Sequence, residues 1–151
     1  MPTRSEIVAE ARTWLNTPYK HQGSVKGAGT DCIGLIRGIW RKFYGDEPEG
    51  MPGYTRDWAE NAGEEALLGA ADRYMVRFDH QGLRLGAPFD DGDLVLFRMV
   101  DRGPAKHAGI TVAPFQMIHS YSGARVHLSH VPTEWRLRIG AAYSFPGVVR
   151  G

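Results

Sequence analysis

Cys32 is the single thiol of the chain, and it lies behind a glycine-bearing polar segment where a helical pattern begins. A cysteine attacks carbonyl carbon as its thiolate, and a free thiol with a pKa of about 8.5 holds only a few per cent of that form at neutral pH. The first turn of a helix carries unpaired N–H groups and a partial positive charge. Placement there is expected to lower the thiol pKa and to supply donors for a developing oxyanion. The competing reading is a buried cysteine that only fills space. A lone cysteine excludes an internal disulfide and any multi-cysteine zinc or iron–sulfur site.

A thiol nucleophile also needs a base, and the chain has six histidines. His107 opens the strand-like run Ala108-Gly109-Ile110-Thr111-Val112, and His119 lies inside the next, Met117-Ile118-His119-Ser120-Tyr121. The short turn at Ala113-Pro114-Phe115 predicts an antiparallel hairpin. A turn centred near Pro114 pairs position 107 with about 121, so His119 becomes a near neighbour of His107 rather than its direct partner. One imidazole can then take the thiol proton while the second fixes its tautomer and ring plane. Either ring could equally be an ordinary strand residue. His21, His80, His127 and His130 read as surface residues or supporting neighbours. Cys32, His107 and His119 could also ligate zinc. The chain lacks the short Cys or His spacings typical of such sites, so no metal or cofactor is expected.

The elements that must position these groups follow from periodicity and punctuation. Thr3 and Glu6 form a capping-box pattern ahead of Ile7, Ala11, Trp14 and Leu15, which predicts a first helix ending near Asn16, before Pro18. Pro18 to Thr30 reads as a loop. A second helix is expected from Thr30 or Asp31, with Ile33, Ile36, Trp40 and Phe43 on one face and Gly45 at its end. Gly45 to Tyr54 reads as a surface loop. Asp57 and Glu60 repeat the capping-box spacing before a third helix carrying Leu67, Leu68, Ala71, Tyr74 and Met75. After Asp79, strands are expected at Asp93–Met99, Ala108–Val112, Gln116–Tyr121, Ala124–Leu128 and Ala141–Phe145. Helices first and strands afterwards predict an α+β fold, with N-terminal helices packed on a C-terminal antiparallel sheet.

The chain's 151 residues suit one domain, 1–151, with enough buried surface to fold without a disulfide or structural metal. Lys and Arg number 18 against 17 Asp and Glu, with no run of like charge, so no nucleic-acid footprint is indicated. No stretch approaches the ~20 apolar residues of a membrane span. The N-terminus shows no apolar core of an export signal, so synthesis in the cytoplasm without a signal peptide is expected.

The ordered motifs resemble a known family. Pro18-Tyr19, a glycine-bearing loop and Asp31-Cys32-Ile33-Gly34-Leu35 resemble the nucleophile region of NlpC-type cell-wall peptidases, a papain-like group. Gly92-Asp93-Leu94-Val95-Leu96-Phe97, His107-Ala108-Gly109-Ile110 and Met117-Ile118-His119 resemble its later motifs, in the family's order. The resemblance runs from about Ile7 to Phe145. It implies a papain-like fold and hydrolysis of bacterial peptidoglycan stem peptides, typically between D-glutamate and a diamino acid. It also implies Cys32 as nucleophile, His107 as general base and His119 as the group that orients His107. Tyr19 matches a tyrosine whose hydroxyl reaches the active site to help bind substrate or oxyanion. Asp31 matches an acidic residue that in some members meets a free amine of the substrate. For these two the plain alternatives are a core aromatic and a helix cap.

Two features depart from the common pattern. Ile33 stands where many members have serine, and a long segment from about Gly45 to Pro88 separates the nucleophile helix from the Gly92-Asp93-Leu94 strand. The second resembles the subgroup found among tail proteins of phages and phage-like gene transfer agents, and implies tail or baseplate partners and delivery to the periplasmic wall by the particle. The alternatives are a structural tail connector that keeps the fold, and an acyltransferase or thioesterase on the same scaffold. Tyr54, Trp58, Tyr143 and Phe145 are expected to offer apolar docking surface.

Overall fold

A computed structural model describes residues 1–47, 66–98, 105–120 and 124–148. Its first helix, α1 (Arg4–Arg12), begins at the expected capping box: Thr3 accepts from the Glu6 amide while the Glu6 carboxylate accepts from the Thr3 amide. α1 stops four residues short of Asn16. From Thr13 to Thr17 the chain tightens into turns, with Trp14 and Leu15 donating to Ala11 and Arg12, and Asn16 takes a left-handed φ of 72°.

The segment expected to be plain loop contains a small antiparallel hairpin, β1 (Ser24–Val25) with β2 (Gly29–Thr30). It leads into α2 (Cys32–Tyr44), capped by Asp31 and ended at Gly45, whose φ of 84° suits a residue without Cβ. Next come α3 (Ala66–Tyr74), β3 (Val76–Phe78) and the short α4 (Gln81–Arg84), then β4 (Leu94–Arg98), β5 (Ala105–Val112), β6 (Gln116–His119) and β7 (His127–His130). A short α5 (Thr133–Arg136) precedes β8 (Ile139–Ser144). The expected loop beyond Glu47, the Asp57/Glu60 cap, Tyr54, Trp58 and Tyr121 lie outside the described residues.

The main sheet has six antiparallel strands in the order β3-β8-β4-β5-β6-β7. Alternate side chains serve its two faces. Leu94, Leu96, Ala108, Ile110 and Ile118 pack against Ile7, Ala11, Ile33, Leu35 and Ile39 of α1 and α2. Val95, Phe97, Met117 and Ala142 form a second cluster with Phe89, Val131 and Ile139 on the opposite face. This α+β arrangement of N-terminal helices on a C-terminal antiparallel sheet is the one expected. Arg4 ties the layers together: its guanidinium reaches Asp93 at 2.6 Å, the Asp91 carbonyl and the Ser144 hydroxyl.

Two expectations fail on packing. The strand placed at Ala124–Leu128 instead begins at His127. Residues 125 and 126 are taken by the N-terminal segment, where the Val126 amide donates to Thr17 and the Asn16 amide to Val126, and Arg125 bridges Pro18. Tyr143 and Phe145 offer no docking surface, because both are fully buried in the helix-side core.

Candidate active site

Cys32 is the first residue of α2, and its position depends on how Asp31 ends the preceding loop. One Asp31 oxygen accepts from the Gly34 amide at 2.8 Å and the other from the Gln22 amide at 2.8 Å, so this buried carboxylate both caps α2 and pins the loop. Gly34 lets the loop lie close. A Cβ there would run into the Gly23 carbonyl and the Thr30 hydroxyl. Thr30 is fixed from three directions: its amide donates to Pro18, and its carbonyl accepts from the Lys20 amide and, at 2.9 Å, from the Ser120 hydroxyl at the end of β6. These bonds set half-buried Tyr19 in a parallel bridge with Thr30, two residues before the cysteine.

The backbone donors of Ala108, the residue after His107 on β5, and of Ile33 and Cys32 favour the thiolate of Cys32. Those donors pull the thiol pKa down, as expected of a helix N-terminus, but they lose. Although the residue is only half-buried, desolvation of its sulfur and then the Asp31 charge push the thiol up to about 12. The expectation of a lowered thiol pKa is therefore reversed.

His107 and His119 are both buried on the sheet face opposite the helices, and their rings are directly bonded, Nε2 of His107 to Nδ1 of His119 at 2.9 Å. Register explains the contact. β5 and β6 pair Ile110 with Ile118 and Thr111 with Met117, and continuing this register puts His119 across from Gly109, two residues along the same face from His107. Burial holds both rings neutral. His107 is lowered to about 3 by desolvation, then by the positive charge that His119 and His127 would carry; His119 is lowered to about 4 by desolvation, then by His127.

Sequence reasoning had singled out neither Ser129 nor Trp135. Ser129 Oγ lies 2.9 Å from Nε2 of His119. Trp135 stands roughly perpendicular to both rings, with centroids 5.6 Å from His107 and 6.1 Å from His119, and Phe97 packs beside it, 6.0 Å from His107 and 5.4 Å from Trp135. A correct strand register at β7 would have placed Ser129 beside His119, since the ladder pairs His119 with His127 and Met117 with Ser129. Nothing in the short α5 sequence flagged Trp135. The His127 ring lies 4.5 Å from that of His119, tilted by 52°, and His127 is exposed. His21 and His80 lie elsewhere, in the loop before β1 and at the start of α4.

A cysteine at a helix N-terminus, packed on an antiparallel sheet that carries a buried histidine pair, defines the papain-like class of fold and site. Within it, the chain belongs to the NlpC/P60 family, whose profile matches residues 16–138. Among solved structures, the NlpC/P60 domain of the peptidoglycan hydrolase SagA is similar over 95% of this chain and 99% of its own, with 24% identity and a TM-score of 0.62. An NlpC/P60 family protein from Bacillus cereus ATCC 10987 is similar over 95% of this chain and 40% of its own, at 20% identity and a TM-score of 0.67. NlpC1 from Trichomonas vaginalis is similar over 94% and 44%, at 18% identity and a TM-score of 0.62. This chain thus spans less than half of the latter two. At these identities the likeness speaks for the fold. No curated protein matches the sequence.

Proposed function

We propose that this chain is a cysteine peptidase that hydrolyses peptidoglycan stem peptides, with Cys32 as nucleophile, His107 as general base and His119 orienting His107. The observation that carries the reading is the Cys32 thiol held against the Ala108 amide, next along the strand from a histidine whose ring is bonded to a second one. Because Nε2 of His107 is committed to His119, Nδ1 is the nitrogen that takes the thiol proton.

The resting pair is neutral, so the proton moves to His107 as the sulfur attacks the scissile carbonyl. The carbonyl π electrons become an oxyanion, held by amides at the start of α2 and by the Tyr19 hydroxyl. Collapse breaks the C–N bond, His107 returns its proton to the leaving amine, and a thioester remains on Cys32. Water then attacks the thioester with His107 as base, releasing the acid and the thiol. Asp31, adjacent to Cys32 and matching the family's acidic position, meets a free amine of the substrate. The bond cut is the one between D-glutamate and a diamino acid, and the chain works in the tail or baseplate of a phage-like particle. Support for the last two statements is the motif order and the long segment between α2 and β4.

Digestion of purified stem peptides by wild type and Cys32→Ala, read by mass spectrometry, tests the proposal. Cleavage by wild type alone identifies the bond and the nucleophile. Cleavage by neither, in solution and in intact particles alike, would replace the peptidase with a structural connector.

A further inference from the structure

We infer that Ser129 is a positioning residue for the proposed reaction, acting through His119 to set which nitrogen of His107 carries a proton. The inference rests on the peptidase reading above for its catalytic consequence, but its structural core does not. Three groups form a continuous line from β5 to β7: His107 Nε2 to His119 Nδ1 at 2.9 Å, and His119 Nε2 to Ser129 Oγ at 2.9 Å.

Proton counting gives the line a direction. When His107 has accepted the thiol proton both its nitrogens carry hydrogen, so Nε2–H must donate to His119. A neutral imidazole has one donor and one acceptor, so His119 then accepts at Nδ1 and carries its own hydrogen at Nε2. That hydrogen needs an acceptor, and the Ser129 hydroxyl is placed to be it. A hydroxyl can also donate, so the resting pair could run the other way, with His119 donating to His107 and His107 already protonated at Nδ1. In that arrangement His107 cannot accept from the thiol.

Removing the hydroxyl makes the wrong direction cheaper. The productive arrangement would lose the Ser129 acceptor of its His119 Nε2–H, whereas the reverse loses only a donor to an unprotonated nitrogen. Orphaned buried donors are the rarer and costlier of the two. The burial of both histidines and the Trp135 ring against them restrict ring rotation.

The test compares wild type, Ser129→Ala and Ser129→Thr as full chains. Nitrogen-15 NMR of the imidazoles reads the tautomer directly, and the alkylation rate of Cys32 by iodoacetamide reads the base without substrate. Wild type is expected to protonate His119 at Nε2, and Ser129→Ala to shift it toward Nδ1–H and slow alkylation about fivefold, the equivalent of one ordinary hydrogen bond. Ser129→Thr, which keeps the hydroxyl, is expected within twofold of wild type. On stem peptides the alanine variant should lose kcat with KM unchanged. An Nδ1–H tautomer on His119 of wild type, or an unchanged tautomer and alkylation rate in Ser129→Ala, overturns the inference. Absence of cleavage by wild type would instead count against the peptidase reading and leave these substrate-free results to decide the role of Ser129.

Discussion

Nε2 of His107 and Nδ1 of His119 lie 2.9 Å apart, with the two rings at 76° to one another. Nearly perpendicular rings allow one nitrogen's in-plane lone pair to point along the other's N–H. In the proposed reaction this contact orients His107 through Nε2 while Nδ1 takes the thiol proton.

Truncating the pair should cost activity unequally. His107→Ala removes the base and is expected to lower kcat by roughly 10²- to 10⁴-fold. His119→Ala removes only the orienting partner and should cost about 10- to 100-fold, by analogy with the loss of a supporting hydrogen-bond partner elsewhere. His119→Asn, whose amide oxygen can accept from His107, should fall between wild type and His119→Ala. Rates of stem-peptide cleavage check the order, and His119→Ala at wild-type rate would remove His119 from the mechanism.

The neutral resting state has a kinetic signature in the thiol. With Cys32 raised to about 12 and His107 lowered to about 3, no thiolate–imidazolium pair is stored before substrate arrives. Alkylation of Cys32 by iodoacetamide should therefore keep climbing as pH rises from 7 to 10. A plateau reached below pH 6 would show a preformed ion pair and contradict the desolvated thiol.

Acid should weaken the fold through the same histidines. Folded, His107 and His119 stay neutral down to about 3 and 4, whereas unfolded histidines take up protons near 6.5. Between those values the unfolded chain binds more protons, so stability is present above 6.5 and is lost as pH falls toward 4. The two rings together should cost on the order of 5 kcal/mol over that interval. Urea unfolding at pH 7 and pH 4.5 measures it, and the double variant His107→Gln/His119→Gln should show a clearly smaller difference between the two pH values.

Gly34 and Gly38 should resist alanine despite lying in a helix. Helix propensity alone would favour alanine by about 1 kcal/mol at each position. Packing opposes it, because a Cβ on Gly38 would enter the Trp14 ring, and one on Gly34 would strike the Gly23 carbonyl in the loop that carries the cap of α2. Overpacking costs typically 1–3 kcal/mol and should win, lowering Tm by roughly 3–10 °C in each variant. Gly34→Ala should also slow Cys32 alkylation, since the obstruction lies beside the nucleophile. A higher Tm in either variant would show that the loop or the indole yields at little cost.

Much of this molecule is written in short-range pattern. Thr3 and Glu6 mark the start of α1, Asp31 and Gly45 bracket α2, and the turn around Pro114 places His119 near His107 by counting alone. Capping and hairpin register depend on neighbours a few residues away, so they are legible without the fold. The start of β7 was not, because Arg125 and Val126 pair with residues 16–18, more than a hundred positions distant. That shift of three residues hid Ser129 from its place beside His119. Nor could the sequence assign the direction of the Cys32 pKa. A helix N-terminus argues for a low value, and only the tertiary structure adds the desolvation and the adjacent Asp31 charge that outweigh it. Chemical type and local geometry were therefore set by residue identity and spacing. The electrostatic state of the site was decided by burial, which depends on what the distant parts of the chain bring to cover it.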